Sequence, residues 1–587
     1  MHKIARTNNT TMIRQTIIST LLLLCSALSL SAQPRLVKKG TAVQIEANGK
    51  RMLMIGGELG NSSATTLADC QRIFPKLQAM GLNTVLAPTY WHLVEPEEGA
   101  FDFSTVKNVI DEARRNNLKV VFLWFGTWKN SMSCYAPEWF KRDTKRFPRA
   151  HALNGRPVEE ASSLSANVLA ADKKAFCRLM EFIRDYDSRE QTVIMMQVEN
   201  EIGMIDVPRD YSADATKMYN SPVPQAFYDY IKRNTKKLHP HIAAKLRTTK
   251  HGTWPEMFGD DMYTEEMFQA WTYAVYVEQM ALAGRSIYNL PMYVNVALNS
   301  RNRKPGEYPS GGPLAHLADI WQCGAPSIDV MALDLYDKGF RDWTARYHMP
   351  NADVPYTHNP LFIPEIRLED QDGVRALYAF GEHDAMGFCP FSIEDYTGAS
   401  SSASNASLTK DDLAKDDQLN LFSQKASALP PLVASYRLLR QTEHLILEHQ
   451  GTEDIRGVLL DNDMRETSFT TADGIRLTIR HSYSLGWEPG AKAAEWPEAG
   501  CIIIRQGKED YVVIGSGVVI TYEKERIKGE TPQDGERIGL AACEEVEYRD
   551  GVQHTLRHLS GDQTHQGRHV RIPVSQWQIQ RFRLYNY

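Results

Sequence analysis

The chain has 587 residues, of which 43% are hydrophobic and 24% are charged, and its formal net charge is -6. A chain of this length can bury several hydrophobic cores, and this apolar fraction is ordinary for a globular protein. The nearly balanced charge gives no indication of a nucleic acid or an anionic membrane as partner, whereas a neutral carbohydrate is compatible with it.

The N-terminus has the layout of a secretory signal peptide. Basic residues precede the apolar run 17–30, and small residues end at Ala32, where we place the cleavage site. The run is shorter than the roughly 20 residues that a membrane-spanning helix needs, and Leu24 before Cys25 does not suit a lipoprotein signal. We therefore predict a signal peptide over residues 1–32 and an exported protein, periplasmic or extracellular, with no membrane span.

From residue 51 onward, short apolar runs alternate with amphipathic helical patterns. The run 52–58 ends in two glycines and Glu58, the helical pattern 65–80 follows, and the runs 83–89 and 118–124 are the next two strands. One strand and helix in about 40 residues predict a parallel sheet with helical crossovers. A closed (β/α)₈ barrel is favoured over an open sheet, because no Gly-x-Gly-x-x-Gly follows the first strand and acids recur at several strand ends.

The central motif is a buried strand that ends in polar residues. The apolar run 192–196 is followed by Gln197, and then Glu199, Asn200 and Glu201 come in quick succession. Because a (β/α)₈ barrel carries its catalytic groups at the C-terminal ends of its strands, Glu201 is a candidate acid/base. The alternative is that these glutamates are surface acids at a strand terminus.

A second strand delivers one glutamate in the same way. The run 359–364 is apolar and is followed by Glu365, and the chain between the two motifs is long enough for two further strand and helix units, with strands at 292–296 and 328–335. A glycosidase needs two carboxyls that face each other across the scissile bond. Glu201 and Glu365 are therefore the predicted catalytic pair.

Here the sequence resembles glycoside hydrolase family 35 of clan A, in which the acid/base glutamate follows an asparagine after strand four and the nucleophile glutamate ends strand seven. Asn200-Glu201 matches the first motif and Glu365 the second, and Gly57-Glu58-Leu59 resembles the family's first-strand motif. The resemblance implies a retaining, exo-acting β-galactosidase that acts on oligosaccharides or plant polysaccharide side chains, without a cofactor or metal. The third-strand segment 124–130 departs from the Pro-Gly-Pro-Tyr type of animal and fungal members.

Other residues are candidates for binding the sugar around the catalytic pair. Asn200 would donate to the 2-hydroxyl, Tyr336 would hold the Glu365 carboxylate with Arg367 behind it, and Glu58 would bind a hydroxyl. Further candidates, for stacking on a sugar ring or binding its hydroxyls, are Trp91, Trp124, Trp128, Trp254, Asn130 and Asn295. The alternative for each is a core aromatic or a solvated residue at a strand end.

The long connection 204–261 after strand four is expected to be a lid or binding loop. With Trp254 and Tyr308 it would close one end of the groove and restrict binding to a chain terminus. The barrel is predicted to continue through strand eight at 385–391, a loop at 397–407 and a closing helix, to residue 442.

Beyond residue 442 the pattern changes to short alternating apolar runs, of which 445–447 is the first. Such runs with turn residues between them predict an antiparallel β-sandwich over 443–587. The eight cysteines show no Cys-x-x-Cys spacing, so neither a zinc site nor a disulfide framework is expected.

Two further functions remain open at this point. One is another clan A glycosidase, such as an endo-glycanase or an exo-glucosaminidase, which would use the same glutamates. The other is a non-catalytic carbohydrate-binding protein, against which the presence of both glutamates argues. The sequence does not determine the exact sugar, the linkage or the oligomeric state.

Overall fold

The computed structural model describes residues 33–299, 302–348, 359–396, 430–525 and 533–587. Within them, parallel strands form a closed barrel, in which strand six is interrupted at residues 332–333. The pairing of Gly387 in strand eight with Met54 in strand one closes the ring. Strands one to eight are Met54–Glu58, Thr84–Tyr90, Lys119–Lys129, Val193–Asn200, Met292–Val294, Val330–Met331 with Asp334–Leu335, Phe362–Ile366 and Gly387–Pro390. The predicted (β/α)₈ barrel is confirmed.

Strand four shows why these runs fold as they do. Every residue from Val193 to Asn200 is buried, as a strand in a parallel sheet covered on both faces must be. On the inner face Ile194 packs with Leu123 and Phe362, while Val193 and Met196 belong to the layer between the sheet and its helices.

Helices cover the outside of the barrel and fill its long connections. The first one begins after Thr66, whose side chain accepts the backbone N–H of Asp69, and contains Pro75 as predicted. The helices are Leu67–Ala79, Trp91–Val94, Ser104–Arg115, Glu138–Arg142, Ala166–Asp187, Ala213–Tyr219, Gln225–Asn234, Pro240–Lys245, Trp254–Phe258, Met262–Ile287, Ala318–Gly324, Phe340–Tyr347, Asp372–Glu382, Ile393–Tyr396 and Pro431–His449.

A small antiparallel sheet covers the N-terminal end of the barrel. Its strands are Arg35–Lys39, Ala42–Ala47 and Lys50–Met52. Ile45 from this sheet packs into the same cluster as the interior residues Met54 and Leu86. Since this sheet covers the N-terminal end of the barrel, a ligand is expected at the opposite end, where the C-terminal ends of the strands lie.

One predicted strand is wrong. Residues 445–447 lie in the helix Pro431–His449, in which Leu445 and Ile446 are buried. Three apolar residues fit a strand and a buried helix face equally well, and Pro431 is at the first helical turn, where proline is favoured. The predicted domain boundary at 443 falls inside this helix. The predicted signal peptide, the loop 397–407 and the helix expected after it lie outside the described residues.

The C-terminal region is built from two antiparallel sheets, as predicted. Residues from both sheets, such as Val513 and Ile479, share one hydrophobic core. The first sheet contains Ile455–Leu460, Ala499–Gly507, Asp510–Ser516, Gln578–Asn586, Ile538–Arg549 and Val552–His558, and the second contains Glu466–Thr470, Ile475–His481, Val518–Lys524 and Val570–Ile572. A separate hairpin, Arg149–His151 with Pro157–Ala161, extends from the barrel.

Two further sequence expectations concern membranes and cysteines. In the described part of the chain, no helix is both long enough and apolar enough to cross a membrane. The cysteines there are all free thiols, and Cys70, Cys389, Cys501 and Cys543 are buried.

Candidate active site

The two predicted glutamates meet at the C-terminal end of the barrel. Glu201 follows the last residue of strand four, and Glu365 lies in strand seven. Asp334 of strand six joins them: one carboxylate oxygen from each of the three residues lies within 4.8 Å of the other two. All three are buried, with exposed fractions of 4%, 4% and 1% for Glu201, Glu365 and Asp334. We refer to these three residues as the carboxylate cluster.

Glu201 is fixed by neighbouring strands. Its backbone N–H donates to Asn295 Oδ1 at 3.0 Å, and Asn295 Nδ2 donates to Asp334 Oδ2 at 2.6 Å. Asn130 Nδ2 donates to Glu201 Oε2, and Lys129 Nζ lies 3.8 Å from the same oxygen. Asn130 and Asn295, both predicted to bind hydroxyls, therefore contact the proposed acid/base directly.

Glu365 is held from strand six. Tyr336 donates its hydroxyl to Glu365 Oε1 at 2.5 Å, and the Arg367 guanidinium lies 5.5 Å from the centre of the Tyr336 ring. Glu58 at the end of strand one is 1% exposed and is close enough to interact with the Glu365 carboxyl. Tyr336 itself is 41% exposed, so a ligand can reach it.

Burial and the charges of neighbouring carboxylates raise the pKa values of Glu365, Glu58 and Asp334. Desolvation is the main cause, and it raises the pKa of Glu365 to about 7 with a further contribution from the Glu201 charge. The pKa values of Glu58 and Asp334 are raised well above the usual range, first by burial and then by the charge of Glu365. Lys129 acts in the opposite direction on Glu58 and Glu365. Glu365, Glu58 and Asp334 therefore hold their protons more tightly than ordinary carboxyls do.

A trio of carboxylates is also the kind of donor set that a divalent cation uses. In this site a positive charge is already supplied by Lys129, next to Glu201. The arrangement suits acid/base and nucleophilic chemistry by the carboxyls themselves.

Several buried polar atoms at this end of the barrel have no hydrogen-bond partner among the described residues. They are Glu58 Oε1, Thr89 Oγ1, Tyr90 OH, Gln197 Nε2, Asn200 Oδ1 and Nδ2, Tyr293 OH, Asp334 Oδ1 and Glu365 Oε2. Such atoms are rare in native proteins, and each costs about 1–3 kcal/mol. A ligand with several hydroxyl groups would give these atoms hydrogen-bond partners. The side-chain amide of Asn200, whose oxygen and nitrogen both belong to this set, is evidence for such a ligand.

Three tryptophans predicted to stack on the sugar do not do so. Trp91, Trp128 and Trp254 are 0%, 0% and 1% exposed. Trp91 packs against Trp139 and Phe140, Trp128 against Tyr273 and Tyr276, and Trp254 against Phe227 and Phe258. These three predictions are wrong, because each indole is turned into the hydrophobic core and leaves no ring face for a sugar.

Trp124 and Tyr308 are also core residues. Trp124 is fully buried and donates to Asp172 Oδ1 at 2.8 Å. Tyr308 is 3% exposed, and its hydroxyl donates to Glu266 Oε2 at 3.1 Å. With Trp254 buried as well, the two aromatics that were expected to close the groove instead stabilise the long connections around it.

Glu199 points away from the carboxylate cluster. Its Oε2 accepts the backbone N–H of Trp128 at 2.8 Å, and its pKa is raised by burial and then by the charge of Asp172 in the outer helical layer. Both Glu199 and Glu201 have positive φ, at 61° and 44°. This left-handed backbone is uncommon for glutamate and is often found at functional sites.

Sequence reasoning missed Asp334 and Lys129. Asp334 is the one charged residue in the apolar strand 330–335, and a charge at the C-terminal end of a buried barrel strand is a signal that could have identified it. Lys129 ends strand three, one residue before Asn130. Its position beside a predicted site residue was the available signal.

Two parts of the chain match models of known families. A model described as beta-galactosidase, of the glycoside hydrolase 42 type, matches residues 64–241, and a model described as a domain of unknown function, DUF5597, matches residues 432–571. The first match includes Glu201, and the second covers the helix Pro431–His449 except its first residue, together with most of the C-terminal sheets. Glu365 lies outside both.

Curated relatives match a limited part of the chain. A beta-galactosidase of Xanthomonas manihotis is 30% identical over 148 residues, which is 24% of this chain and 23% of the relative. The beta-galactosidase-1-like protein 3 of Mus musculus is 28% identical over 170 residues, 28% of this chain and 24% of the relative. The chain thus matches about a quarter of the length of each.

Solved structures show lower similarity. A beta-galactosidase from Bacillus circulans sp. alkalophilus has a TM-score of 0.41 at 14% identity, covering 68% of this chain and 57% of that one. The catalytic domain of a beta-amylase from Paenibacillus polymyxa has a TM-score of 0.41 at 12% identity, covering 62% and 97%. The fold assignment rests on the strand pairing described above.

Part of the chain is thus similar to beta-galactosidases: residues 64–241 match the family model, and about a quarter of the chain matches the two relatives. Membership of family 35 in particular is not confirmed, since the model that matches is of the family 42 type.

Proposed function

We propose that the protein is a retaining, exo-acting glycoside hydrolase that removes terminal β-galactose from oligosaccharides or plant polysaccharide side chains. The observation that carries this proposal is the separation within the carboxylate cluster, at most 4.8 Å between the nearest oxygens. Retaining glycosidases hold their two carboxyls about 5–5.5 Å apart, whereas inverting ones need about 6.5–9.5 Å to admit a water. The spacing of Glu201 and Glu365 favours the retaining mechanism.

In the first step, Glu365 attacks the anomeric carbon while Glu201 gives its proton to the leaving oxygen. The bond to the leaving group breaks as the bond to Glu365 Oε2 forms, and Oε2 is the oxygen of Glu365 that has no hydrogen-bond partner among the described residues. Tyr336 donates to the other oxygen, Oε1, and holds the carboxylate in position.

In the second step, Glu201 is a base. It takes a proton from a water, the water attacks the anomeric carbon from the side that the leaving group vacated, and Glu365 is released as a carboxylate. Two inversions restore the β configuration of the sugar.

Glu58 and Asp334 support the ionised nucleophile by holding protons themselves. Burial and the charge of Glu365 raise their pKa values, which favours the neutral forms, and a neutral carboxyl can donate a hydrogen bond to a sugar oxygen or to a neighbouring carboxylate. Glu365 is thereby relieved of like charges next to it.

Asn200, beside Glu201, would donate to the 2-hydroxyl of the terminal sugar, a hydrogen bond that strengthens in the transition state. Its unpartnered amide supports this role. We also propose that the protein is exported, because its first 32 residues have the layout of a signal peptide.

A panel of chromogenic glycosides tests the proposal on the purified chain. We expect turnover of the β-galactoside above that of the β-glucoside, the β-mannoside and the β-glucosaminide. Preferential turnover of another sugar would indicate another clan A glycosidase. Binding without turnover of any of them would indicate a carbohydrate-binding protein.

A further inference from the structure

Two buried carboxyls behind the active site have no part in the mechanism described so far. Glu199 lies in strand four, and Asp172 lies in the helix that precedes this strand. Both are fully buried. The side chains that donate to Asp172 are those of Trp124, Thr127 and Tyr276, and all three are neutral. We refer to Glu199 and Asp172 as the rear pair.

The rear pair is joined by a hydrogen bond that needs a proton. The two side chains are within hydrogen-bonding reach of each other, and two carboxylates form such a bond only when one of them is protonated. Burial, and then the charge of Asp172, raise the pKa of Glu199 well above its usual range, which favours the neutral form. Glu199 is therefore the donor and Asp172 the acceptor.

Strand three leaves room for this hydrogen bond at Gly126. A Cβ atom at this position would lie 2.7 Å from Glu199 Oε1 and 2.8 Å from Asp172 Oδ1, which is closer than real Cβ contacts. The two oxygens therefore face the same point on strand three. A larger residue at this point would displace the rear pair.

The rear pair lies against an irregular part of strand three. The residue pairing with strand four breaks after Trp124 and resumes at Lys129, which is opposite Asn200. Residues 125–128 are thus opposite a single residue of strand four, Glu199. Such a bulge leaves backbone groups without their usual partners in the sheet. We call residues 125–128 the strand-three bulge.

The rear pair supplies hydrogen-bond acceptors to the strand-three bulge. Glu199 Oε2 accepts the backbone N–H of Trp128 at 2.8 Å. Asp172 Oδ2 accepts the backbone N–H of Thr127 at 3.2 Å and the hydroxyl of the same residue at 2.7 Å. These bonds hold the bulge between strand four and the helix. The residues that come directly after the bulge are therefore held as well.

Lys129 and Asn130, the residues that follow the bulge, contact the proposed acid/base. Asn130 Nδ2 donates to Glu201 Oε2, and Lys129 Nζ lies 3.8 Å from the same oxygen. The backbone N–H of Asn130 also donates to the carbonyl oxygen of Asn200 at 3.3 Å. A continuous set of contacts thus leads from the rear pair, through the end of strand three, to Glu201.

We propose that Glu199 is a positioning residue, which holds the strand-three bulge so that the residues after it keep the Glu201 carboxyl in place for proton transfer. The inference rests on the proposed hydrolase function and adds a residue to its site. In this role Glu199 serves as a hydrogen-bond donor and acceptor and not as a charge. A glutamine could replace it, because its amide nitrogen donates to Asp172 and its amide oxygen accepts from Trp128.

Three variants separate this role from a general contribution to stability. Glu199→Gln keeps both hydrogen bonds. Glu199→Met removes them at a similar side-chain length, and Gly126→Ala displaces the rear pair while keeping every atom of it. The loss of one or two hydrogen bonds is a small part of the stability of a domain, so all three variants are expected to fold.

Asp187→Asn is the matched control. Asp187 is also fully buried and belongs to the same helix as Asp172. It accepts the backbone N–H of Val193, the first residue of strand four, at 2.7 Å. It therefore joins the same helix to the same strand, but at the end of the strand that is remote from the carboxylate cluster.

Steady-state kinetics on two β-galactosides, one with a poor alcohol leaving group and one with a good phenol leaving group, measure the effect. In Glu199→Met and Gly126→Ala, kcat for the poor leaving group should fall about 10–100-fold, because a misplacement of about 1 Å can cost that much. For the good leaving group, which needs little proton donation, kcat should fall less than about threefold, and the KM values should stay within about twofold. Glu199→Gln and Asp187→Asn should keep both kcat values within about threefold of native.

Equal losses on both galactosides in Glu199→Met would overturn the positioning role and leave the hydrolase intact. An equal loss in Glu199→Gln and Glu199→Met would do the same, since the amide would then fail to replace the neutral carboxyl. The leaving-group pattern of Glu199→Met appearing also in Asp187→Asn would reduce the rear pair to an ordinary stabilising contact, which also overturns the proposal.

If the native chain hydrolysed neither galactoside, the proposed function would fail, and crystal structures of Glu199→Met and Glu199→Gln would decide on the positioning role alone. We expect Asn130 to lose its contact with Glu201 Oε2 in Glu199→Met and to keep it in Glu199→Gln. The hydrogen bond from the Glu201 backbone to Asn295 should be unchanged in both. An Asn130 contact that persisted in Glu199→Met would overturn the proposal. Should Glu199→Met not fold, the kinetics and structure of Gly126→Ala supply the same test.

Discussion

Glu199 and Glu201 show how two carboxyls on one strand end can acquire different surroundings. Alternation along a regular strand would direct residues two apart to the same face. The left-handed backbone conformation of both glutamates breaks that alternation. The Glu199 side chain therefore points to the layer between the sheet and its helices, and the Glu201 side chain points to the C-terminal opening of the barrel. The structure thereby places Glu201, the acid/base candidate chosen from the sequence, beside Glu365 and places Glu199 away from it.

Replacing Glu201 with alanine should affect substrates according to their leaving groups. We expect a loss of about 10²–10⁴-fold on glycosides with poor leaving groups, which need protonation, and a much smaller loss on aryl glycosides with good ones. Steady-state kinetics on a series of aryl galactosides measures this. Glu199→Ala is the comparison, and a leaving-group dependence that appeared in Glu199→Ala instead would reassign the acid/base.

Replacing Glu365 with alanine should reduce turnover by about 10⁴-fold or more, because the covalent step loses its nucleophile. Added azide should restore activity and yield a glycosyl azide of inverted configuration, detected by mass spectrometry and NMR. Ordinary activity without azide would mean that another residue is the nucleophile.

At the scale of elements, most of the barrel could be predicted because each buried strand is a short apolar run with a polar residue at its end. Strands one, two, three, four and seven illustrate this, and the run 359–364 led directly to Glu365. What could not be predicted is the direction of side chains on the connections. The examples are Trp91, Trp128 and Trp254, which lie near strand ends or in long loops. At such positions the sequence has no periodic pattern that would indicate whether a side chain faces the hydrophobic core or the ligand site.

The helix Pro431–His449 shows a second way in which the sequence-based prediction failed. Its C-terminal end, 445–447, was predicted as a strand because three apolar residues carry no period of their own. Asp334 is the third. A single acid inside an apolar run is ambiguous until the pairing of strand six with strand seven places it opposite Glu365.

Trp254 tests the packing of the long connection after strand four. Because its side chain is buried, replacing it with alanine should lower the free energy of unfolding by about 3–5 kcal/mol. Trp254→Phe, which preserves most of the packing, should retain the native KM. Urea unfolding and Michaelis kinetics measure the two effects. A normal stability with a raised KM in Trp254→Phe would restore the sugar-stacking role.

At the scale of the whole molecule, the C-terminal sheets pack on the helices that follow strands six and seven. Arg375 makes two hydrogen bonds to Glu498, at 2.9 and 2.8 Å, and Arg341 donates to the backbone of Leu459 at 3.1 Å. These contacts join the sheets to the part of the barrel that carries Tyr336 and Glu365. We infer a supporting role for the C-terminal region.

The carboxylate cluster should make the stability of the whole chain depend on pH. A carboxyl whose pKa rises on folding, from 4.5 to about 7 for Glu365, binds its proton more tightly in the folded state. The stability that it contributes is present below pH 4.5 and is lost as the pH rises through 7. At 1.36 kcal/mol per pKa unit, the loss for this residue is about 3 kcal/mol.

The substitution Glu365→Gln removes the ionisable carboxyl and therefore the loss of stability that accompanies its deprotonation. We expect this variant to unfold at a higher temperature than the native chain at pH 8 and at a similar temperature at pH 4.5, in matched buffers. Glu498→Gln, a partly exposed carboxyl away from the cluster, serves as a control that should not show this pattern. A difference between Glu365→Gln and the native chain that did not change with pH would contradict the raised pKa.

The stereochemistry of hydrolysis tests the central claim most directly. If Glu201 and Glu365 act across a gap too narrow for a water, the sugar first released from a β-galactoside must be the β-anomer. Proton NMR recorded during the first minutes of the reaction, before mutarotation, distinguishes the two anomers. The account predicts β-galactose as the first signal. An initial α-anomer would contradict the retaining two-glutamate mechanism.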